Sequence, residues 1–214
     1  MSWKLFWLLV EAARMTVLLS AVSIGIFGFL IAILVCAGML SSNRLAAGAG
    51  RLFVSFFRGT PLLVQLLLIY YLLPRIGLDV PSWVAAVAGM SLCTAAYQAE
   101  IMRGGFRGVP TGLIEAADMC GLSHADTFRR IRLPIAFRLT LPALVNEWIM
   151  MLKSSSLISV VGVIELTRMA QDLAASTYRP LELYAAAGFL YLCINLLVAA
   201  LGRGLEARLS WGRV

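Results

Sequence analysis

The chain has 214 residues, 61% of them hydrophobic and 14% charged, with a mean hydropathy of +0.88. Soluble domains carry about 25% charged residues, so a water-soluble enzyme or binding module is excluded; against a bilayer core of ~30 Å this length holds roughly four to six helical spans and short loops. The formal net charge of +7 raises nucleic acid for a soluble protein, but in a membrane protein the first test is where the basic residues fall relative to the spans.

In chain order, Lys4 precedes an apolar stretch over 5–10, but Glu11 and Arg14 interrupt it before any small-residue cleavage site, so a cleaved signal peptide is not expected. Residues 15–43 contain no ionisable side chain and predict a tilted first span. A second apolar run, 59–74, lies between Arg58 and Arg75 and is short unless residues from Leu52 onward extend it, which would put Arg58 near a membrane boundary. Backbone around Gly59 and Pro61 is not expected to be regular helix. Residues 80–99 form a third span; 139–162 form a fourth, with Pro142, Asn146, Glu147 and Lys153 inside it; 183–202 form a fifth. The four cysteines, Cys36, Cys93, Cys120 and Cys193, show no CxxC or Cys/His spacing and read as packing residues. The fold class expected is an all-α membrane protein of about five transmembrane helices, 1–214 forming a single domain.

An odd number of spans separates the termini. With the N-terminus outside, Arg44, Arg51, Arg58, Arg103, Arg107, Arg129, Arg130, Arg132, Arg138, Arg203, Arg208 and Arg213 lie inside, against Lys4, Arg14, Arg75, Arg168 and Arg179 outside. The positive-inside rule therefore favours N-out and C-in, and explains the charge without nucleic acid.

The inside segment 101–135 is too polar to span. Pro110 suits a helix start; Leu113, Ala116, Ala117 and Cys120 follow at helical spacing, and Gly121 stands where a left-handed cap is needed. Ser123 and Asp126 resemble a capping box opening a second helix with Phe128 and Ile131 on one side, ending near Pro134. The segment reads as helix, glycine turn, helix.

Glu115-Ala116-Ala117, Gly121 four residues on, and Ile131-Arg132-Leu133-Pro134 after nine more resemble the EAA loop of ABC importer permeases. Phe57-Arg58-Gly59-Thr60-Pro61-Leu62-Leu63-Val64-Gln65, Tyr97-Gln98-Ala99-Glu100-Ile101-Met102-Arg103-Gly104-Gly105, Leu152-Lys153-Ser154-Ser155-Ser156-Leu157 and Glu165-Leu166-Thr167-Arg168 resemble blocks of the polar amino acid permease family. Similarity covers roughly 14–210. The resemblance implies a type I ABC importer fold in the bacterial cytoplasmic (inner) membrane and a second permease subunit, identical or homologous. It further implies two cytoplasmic ATPase subunits and an extracytoplasmic amino-acid-binding protein. The loop, about 109–134, would then be the coupling element, with Glu115, Ala116, Ala117, Gly121, Ile131, Leu133 and Pro134 as its defining positions. Many relatives carry an acid where this chain has Ser154, so a charge that would meet a cationic substrate is missing there, whereas Ser176-Thr177-Tyr178-Arg179-Pro180 and the tail from Arg203 to Arg208 resemble members serving histidine, lysine, arginine or opines. A polar amino acid is the substrate class expected, a basic amino acid or an opine the narrower guess.

Chemistry inside the chain is sparse. No GxxxxGK[ST] segment exists and the only lysines are Lys4 and Lys153, so this chain is not expected to hydrolyse ATP; the resemblance implies that ATP and Mg belong to partner subunits, and no cofactor or metal is expected on this chain. The single histidine, His124, reads as a solvated loop residue. What remains are polar groups at membrane depth, which are costly unless paired or lining a wet cavity. Glu147 and Ser154 are seven residues apart on one helical face, with Asn146 and Lys153 on the next, a stripe suited to a subunit interface. The expected substrate path comprises Arg58, Thr60, Gln65, Glu100, Glu147, Lys153 and Ser154, with Arg58 toward a carboxylate and Glu147 toward an ammonium. The competing reading has Arg58 snorkelling to headgroups and Glu147 and Lys153 structural.

Overall fold

A computed structural model describes residues 3–209; Arg213, counted above, lies outside them. The described residues are helical almost throughout: α1 Trp3–Leu40, α2 Arg44–Gly59, α3 Leu62–Arg75, α4 Ser82–Arg107, α5 Thr111–Met119, α6 His124–Val161, α7 Leu166–Thr177 and α8 Pro180–Leu209. Helices α1, α4, α6 and α8 are long and apolar enough to cross a membrane, and the bent pair α2 and α3 makes a fifth span when counted as one.

Three boundaries differ from the sequence expectation, each for a local reason. Helix α1 starts at Trp3 rather than residue 15, because Glu11 and Arg14 both stand on its exposed side while Leu9, Ala12, Ala13 and Thr16 are buried. The charges interrupt the hydropathy, not the helix. The second span is not one extended helix from Leu52: α2 and α3 meet at 104° across Thr60 (φ −111°, ψ 141°) and Pro61 (φ −62°, ψ 139°). The second loop helix does not end at Pro134 but runs on into the fourth span. A π-helical stretch, Phe128–Arg132, precedes the proline, and the Leu133 amide reaches back to the Phe128 carbonyl. That register shift absorbs the missing N–H and the ring clash that normally break a helix.

Helix α4 is the central post. Its Gly105 lets the backbone of α6 approach so closely that a Cβ there would lie 2.2 Å from the Thr140 methyl. On its other side a second π-helical stretch, Ala21–Gly28 of α1, frees two carbonyls: Ser23 O accepts the Ser91 hydroxyl at 3.1 Å and Ile24 O the Gln98 amide at 3.3 Å. Away from the post, α1, α7 and α8 are tied by Glu165, which is fully buried. Its carboxylate accepts the Arg168 amide at 2.9 Å and the Tyr191 hydroxyl at 2.8 Å, while the Thr16 hydroxyl accepts the Leu166 amide at 3.0 Å. Of the cysteines, Cys36 and Cys93 pack in the interior, but Cys120 and Cys193 are exposed and contribute little packing.

Candidate functional site

The elbow between α2 and α3 positions the first half of the site. Asn43 caps α2, its side chain accepting the Leu45 amide at 2.9 Å, and Arg58 follows fifteen residues later, roughly 22 Å along the axis. That distance places Arg58 at the far end of α2, with its guanidinium carbon 5.2 Å from the ring centroid of Tyr97 in α4. Arg58 thus has an aromatic partner within the fold. Gln65 holds the elbow shut: its amide donates to Phe57 O at 2.8 Å and Thr60 O at 2.9 Å, two carbonyls that the helix break would leave orphaned.

The second half comes from α4 and α6. Glu147, buried at 5% exposure, accepts hydrogen bonds from the Thr94 hydroxyl and from the Gln98 amide at 3.1 Å. Thr94 and Gln98 are four residues apart and so share a face of α4. A carboxylate carried to this depth without such donors would be strongly disfavoured.

Between the halves lies a cavity of about 660 Å³, lined by Arg58, Thr60, Tyr97, Asn146, Glu147 and Ser154 among its polar and aromatic members, with Cys93, Met150 and Leu157 among the rest. One basic and one acidic side chain thus face a single space from different elements. Four of the expected path residues meet here: Arg58, Thr60, Glu147 and Ser154. Three do not. Gln65 donates its amide to the elbow and is off the lining; Glu100 pairs with Arg103 one turn away on α4; Lys153 is exposed and off the lining. The Asn146 and Glu147 faces of α6 reach the cavity together, but the stripe is not continuous to Lys153. Tyr97 and Thr94 were missed as site residues, although a hydroxyl at Thr94 and an amide at Gln98 spaced by four in an apolar span were a usable signal.

The loop between α4 and α6 is a separate, exposed feature. Helix α5 closes with paired bonds from Gly121 N to Asp118 O at 3.0 Å and from Leu122 N to Ala117 O at 3.1 Å, a Schellman cap that requires the left-handed φ of 73° at Gly121. Pro110 is the residue preceding the first turn, not part of it. Ser123 opens α6, its hydroxyl accepting the Asp126 amide at 3.1 Å; Asp126 takes the hydroxyl proton at 2.7 Å instead of returning to the Ser123 backbone as a full capping box would. His124 is exposed. Phe128 stacks on Phe106 at 5.8 Å and 8°, bracing the loop on α4. Of the apolar face of α5, only Ala117 is buried; Glu115, Ala116 and Cys120 are exposed, as are Leu113 at 45% and Met119 at 89%. Ile131 is half-buried, whereas Leu133 and Pro134 are exposed. Among the described residues no cluster of His, Cys, Asp or Glu is arranged to hold a metal ion.

Comparison with known proteins is consistent along the whole chain. The family model described as binding-protein-dependent transport system inner membrane component matches residues 10–211. The nopaline transport system permease protein of Agrobacterium fabrum is 39% identical over 203 residues, covering 90% of this chain and 84% of its own. The glutamine transport system permease protein of Escherichia coli is 36% identical over 214 residues, covering 97% of each. Among solved structures, a crystal structure of an amino acid ABC transporter with histidines superimposes with a TM-score of 0.88 at 36% identity, over 94% of both chains. An inward-facing methionine ABC transporter gives 0.83 at 22% identity, over 98% of this chain and 100% of its own, a likeness of fold.

Proposed function

This chain belongs to the family of binding-protein-dependent transport system inner membrane components, and we propose that its cavity between the α2–α3 elbow, α4 and α6 is the passage for a zwitterionic, polar amino acid. The chain is the integral membrane permease subunit of an ATP-driven importer for amino acids or opines, with the type I importer fold, and is not itself the ATPase. The absence of a phosphate-binding glycine loop accords with ATP and Mg being held entirely by partner subunits. The assembly proposed is two permease subunits, two ATPase subunits at the α5–α6 loop and an external binding protein, with the N-terminus outside and the loop and C-terminus in the cytoplasm. Arginine placement supports that orientation.

The observation carrying the passage is the convergence of Arg58 and Glu147 on one cavity. A guanidinium suits an α-carboxylate through charge-assisted hydrogen bonds, and a buried carboxylate on the opposing element suits the ammonium. Ser154 leaves the space without a second acid, so the side-chain preference is for polar groups in general, with basic amino acids and opines as the narrower class. The loop supports coupling because a short helix locked by the Gly121 cap and the Phe106–Phe128 stack moves as a unit and transmits ATPase closure instead of absorbing it.

The test is ATP-dependent uptake by proteoliposomes containing the complex and its binding protein, measured with glutamine, histidine, arginine and an opine, for wild type, Arg58→Ala and Glu147→Gln. Raised apparent KM in Arg58→Ala with the complex intact supports the passage. Wild-type KM and kcat in both variants would remove it.

A further inference from the structure

A second cavity, of about 630 Å³, lies between α1, α4 and α6 at the end of the spans that carries the loop; Ile33 and Ala37 of α1, Phe106 of α4, and Arg132, Phe137 and Leu144 of α6 line it. Its walls are almost entirely hydrocarbon, and the polar exceptions are few. Thr140 spends its hydroxyl on the Phe137 carbonyl of its own helix at 3.0 Å, and Ser41 lies at the open turn after α1. Arg132 is different. Its Nε is buried and has no hydrogen-bond partner, and among the described residues no carboxylate forms an ion pair with it.

The dimensions suggest what completes it. From Arg132 to Leu144 the groove follows α6 for twelve residues, roughly 18 Å, comparable with the ~15 Å hydrocarbon depth of one leaflet of a ~30 Å core. A cation at headgroup level above an apolar trough one leaflet deep matches the shape and charge of a phospholipid. Basic pockets between spans take anionic headgroups. An apolar helix from another protein subunit would fill the trough but offer no counter-charge to Arg132. We propose that this groove holds an anionic phospholipid, one acyl chain lying along α1 and α6 and the phosphodiester oxygens accepting hydrogen bonds from Arg132. The site is distinct from the substrate cavity, and its test reads bound lipid rather than transport, so either proposal can fail alone.

The experiment is native mass spectrometry of the full chain in complex with its ATPase partner, purified in mild detergent and titrated with phosphatidylglycerol, phosphatidylcholine or inorganic phosphate. Wild type is expected to retain phosphatidylglycerol at least tenfold better than phosphatidylcholine and to retain no inorganic phosphate. Arg132→Gln is expected to bring that ratio close to one. Ala37→Trp, at an exposed position on the groove wall, is expected to lower retention of phosphatidylglycerol at least tenfold by filling the trough. Equal retention of the two lipids by wild type, or unchanged retention in Ala37→Trp, overturns the proposal, as does a headgroup ratio that survives Arg132→Gln. Retained inorganic phosphate would make it a free-anion site, and a disulfide between two copies through Ala37→Cys would make it a subunit interface; both contradict the lipid. If Arg132→Gln does not purify, the wild-type headgroup ratio and Ala37→Trp decide.

Discussion

Arg58 and Glu147 occupy the same cavity but are held in unlike ways. Arg58 is exposed within it and restrained chiefly by the Tyr97 ring, a contact worth about 0.5–1 kcal/mol. Replacing it with alanine is expected to leave folded yield nearly unchanged while raising the KM for uptake about ten- to a hundredfold, the loss of a charged hydrogen bond of about 1.5–3 kcal/mol. Uptake kinetics beside a size-exclusion profile check both halves. Glu147 is different because both its donors, Thr94 and Gln98, require an acceptor. In Glu147→Gln one donor faces an N–H, costing about 1–3 kcal/mol, so the thermal unfolding midpoint of the purified complex is expected to fall together with transport. Arg58, Thr60, Glu147 and Ser154 were legible as polar residues in apolar surroundings, since such groups need a wet space or a partner. The same argument also named Gln65, Glu100 and Lys153, which do not line the cavity. Polarity in a span says that a partner is needed, not whether that partner is a substrate; Gln65 finds acceptors across the elbow and Glu100 pairs within one turn.

Helix breaks decide the architecture at the next scale. In α2, Arg44, Arg51 and Arg58 recur every seven residues and form one stripe, which lowers average hydropathy enough to hide a helix whose Ala47, Gly50 and Val54 are buried. Hydropathy averages see composition; the stripe lies in the order. The π-helical stretch of α1 was likewise illegible, because it depends on tertiary donors from α4 to Ser23 and Ile24; the one before Pro134 accommodates a residue that was read instead as a helix end. The Thr60-Pro61 break was legible, but not the 104° turn or the amide that fixes it. Gln65→Leu would leave the Phe57 and Thr60 carbonyls unpaired, and a loss of about 1–3 kcal/mol per buried group is expected to appear as a lowered unfolding midpoint and a raised KM together. In the loop, Gly121→Val forces a β-branched residue to φ 73°, costing roughly 1–2 kcal/mol and loosening α5. The variant is expected to insert normally but to lose substrate-stimulated ATP hydrolysis and uptake; wild-type rates of both would show that the cap is only a helix end.

For the whole molecule, the two functional regions lie on shared helices. α4 carries Thr94, Tyr97 and Gln98 of the site and ends where Phe106 meets the loop, and α6 runs unbroken from Ser123, at the turn, past Glu147 to Val161. With 38 residues α6 has a contour of about 57 Å, longer than the ~40–45 Å of bilayer including headgroups, so it is long enough to cross the membrane and extend beyond it. The continuous rod is the part of the fold that the sequence obscured, since Pro134 reads as an end, and under the proposed function it is the part that would carry motion at the loop to the cavity. The most direct measurement is photo-crosslinking from Leu113→Cys in a Cys120→Ser, Cys193→Ser background, labelled with a benzophenone maleimide, in membranes containing the intact complex. The expected result is a crosslink to the ATPase subunit, accessible to impermeant thiol reagents only from the cytoplasmic face and changed in yield when ATP is trapped. Labelling from the outer face, or no ATPase in the crosslinked product, would contradict a permease driven through this loop.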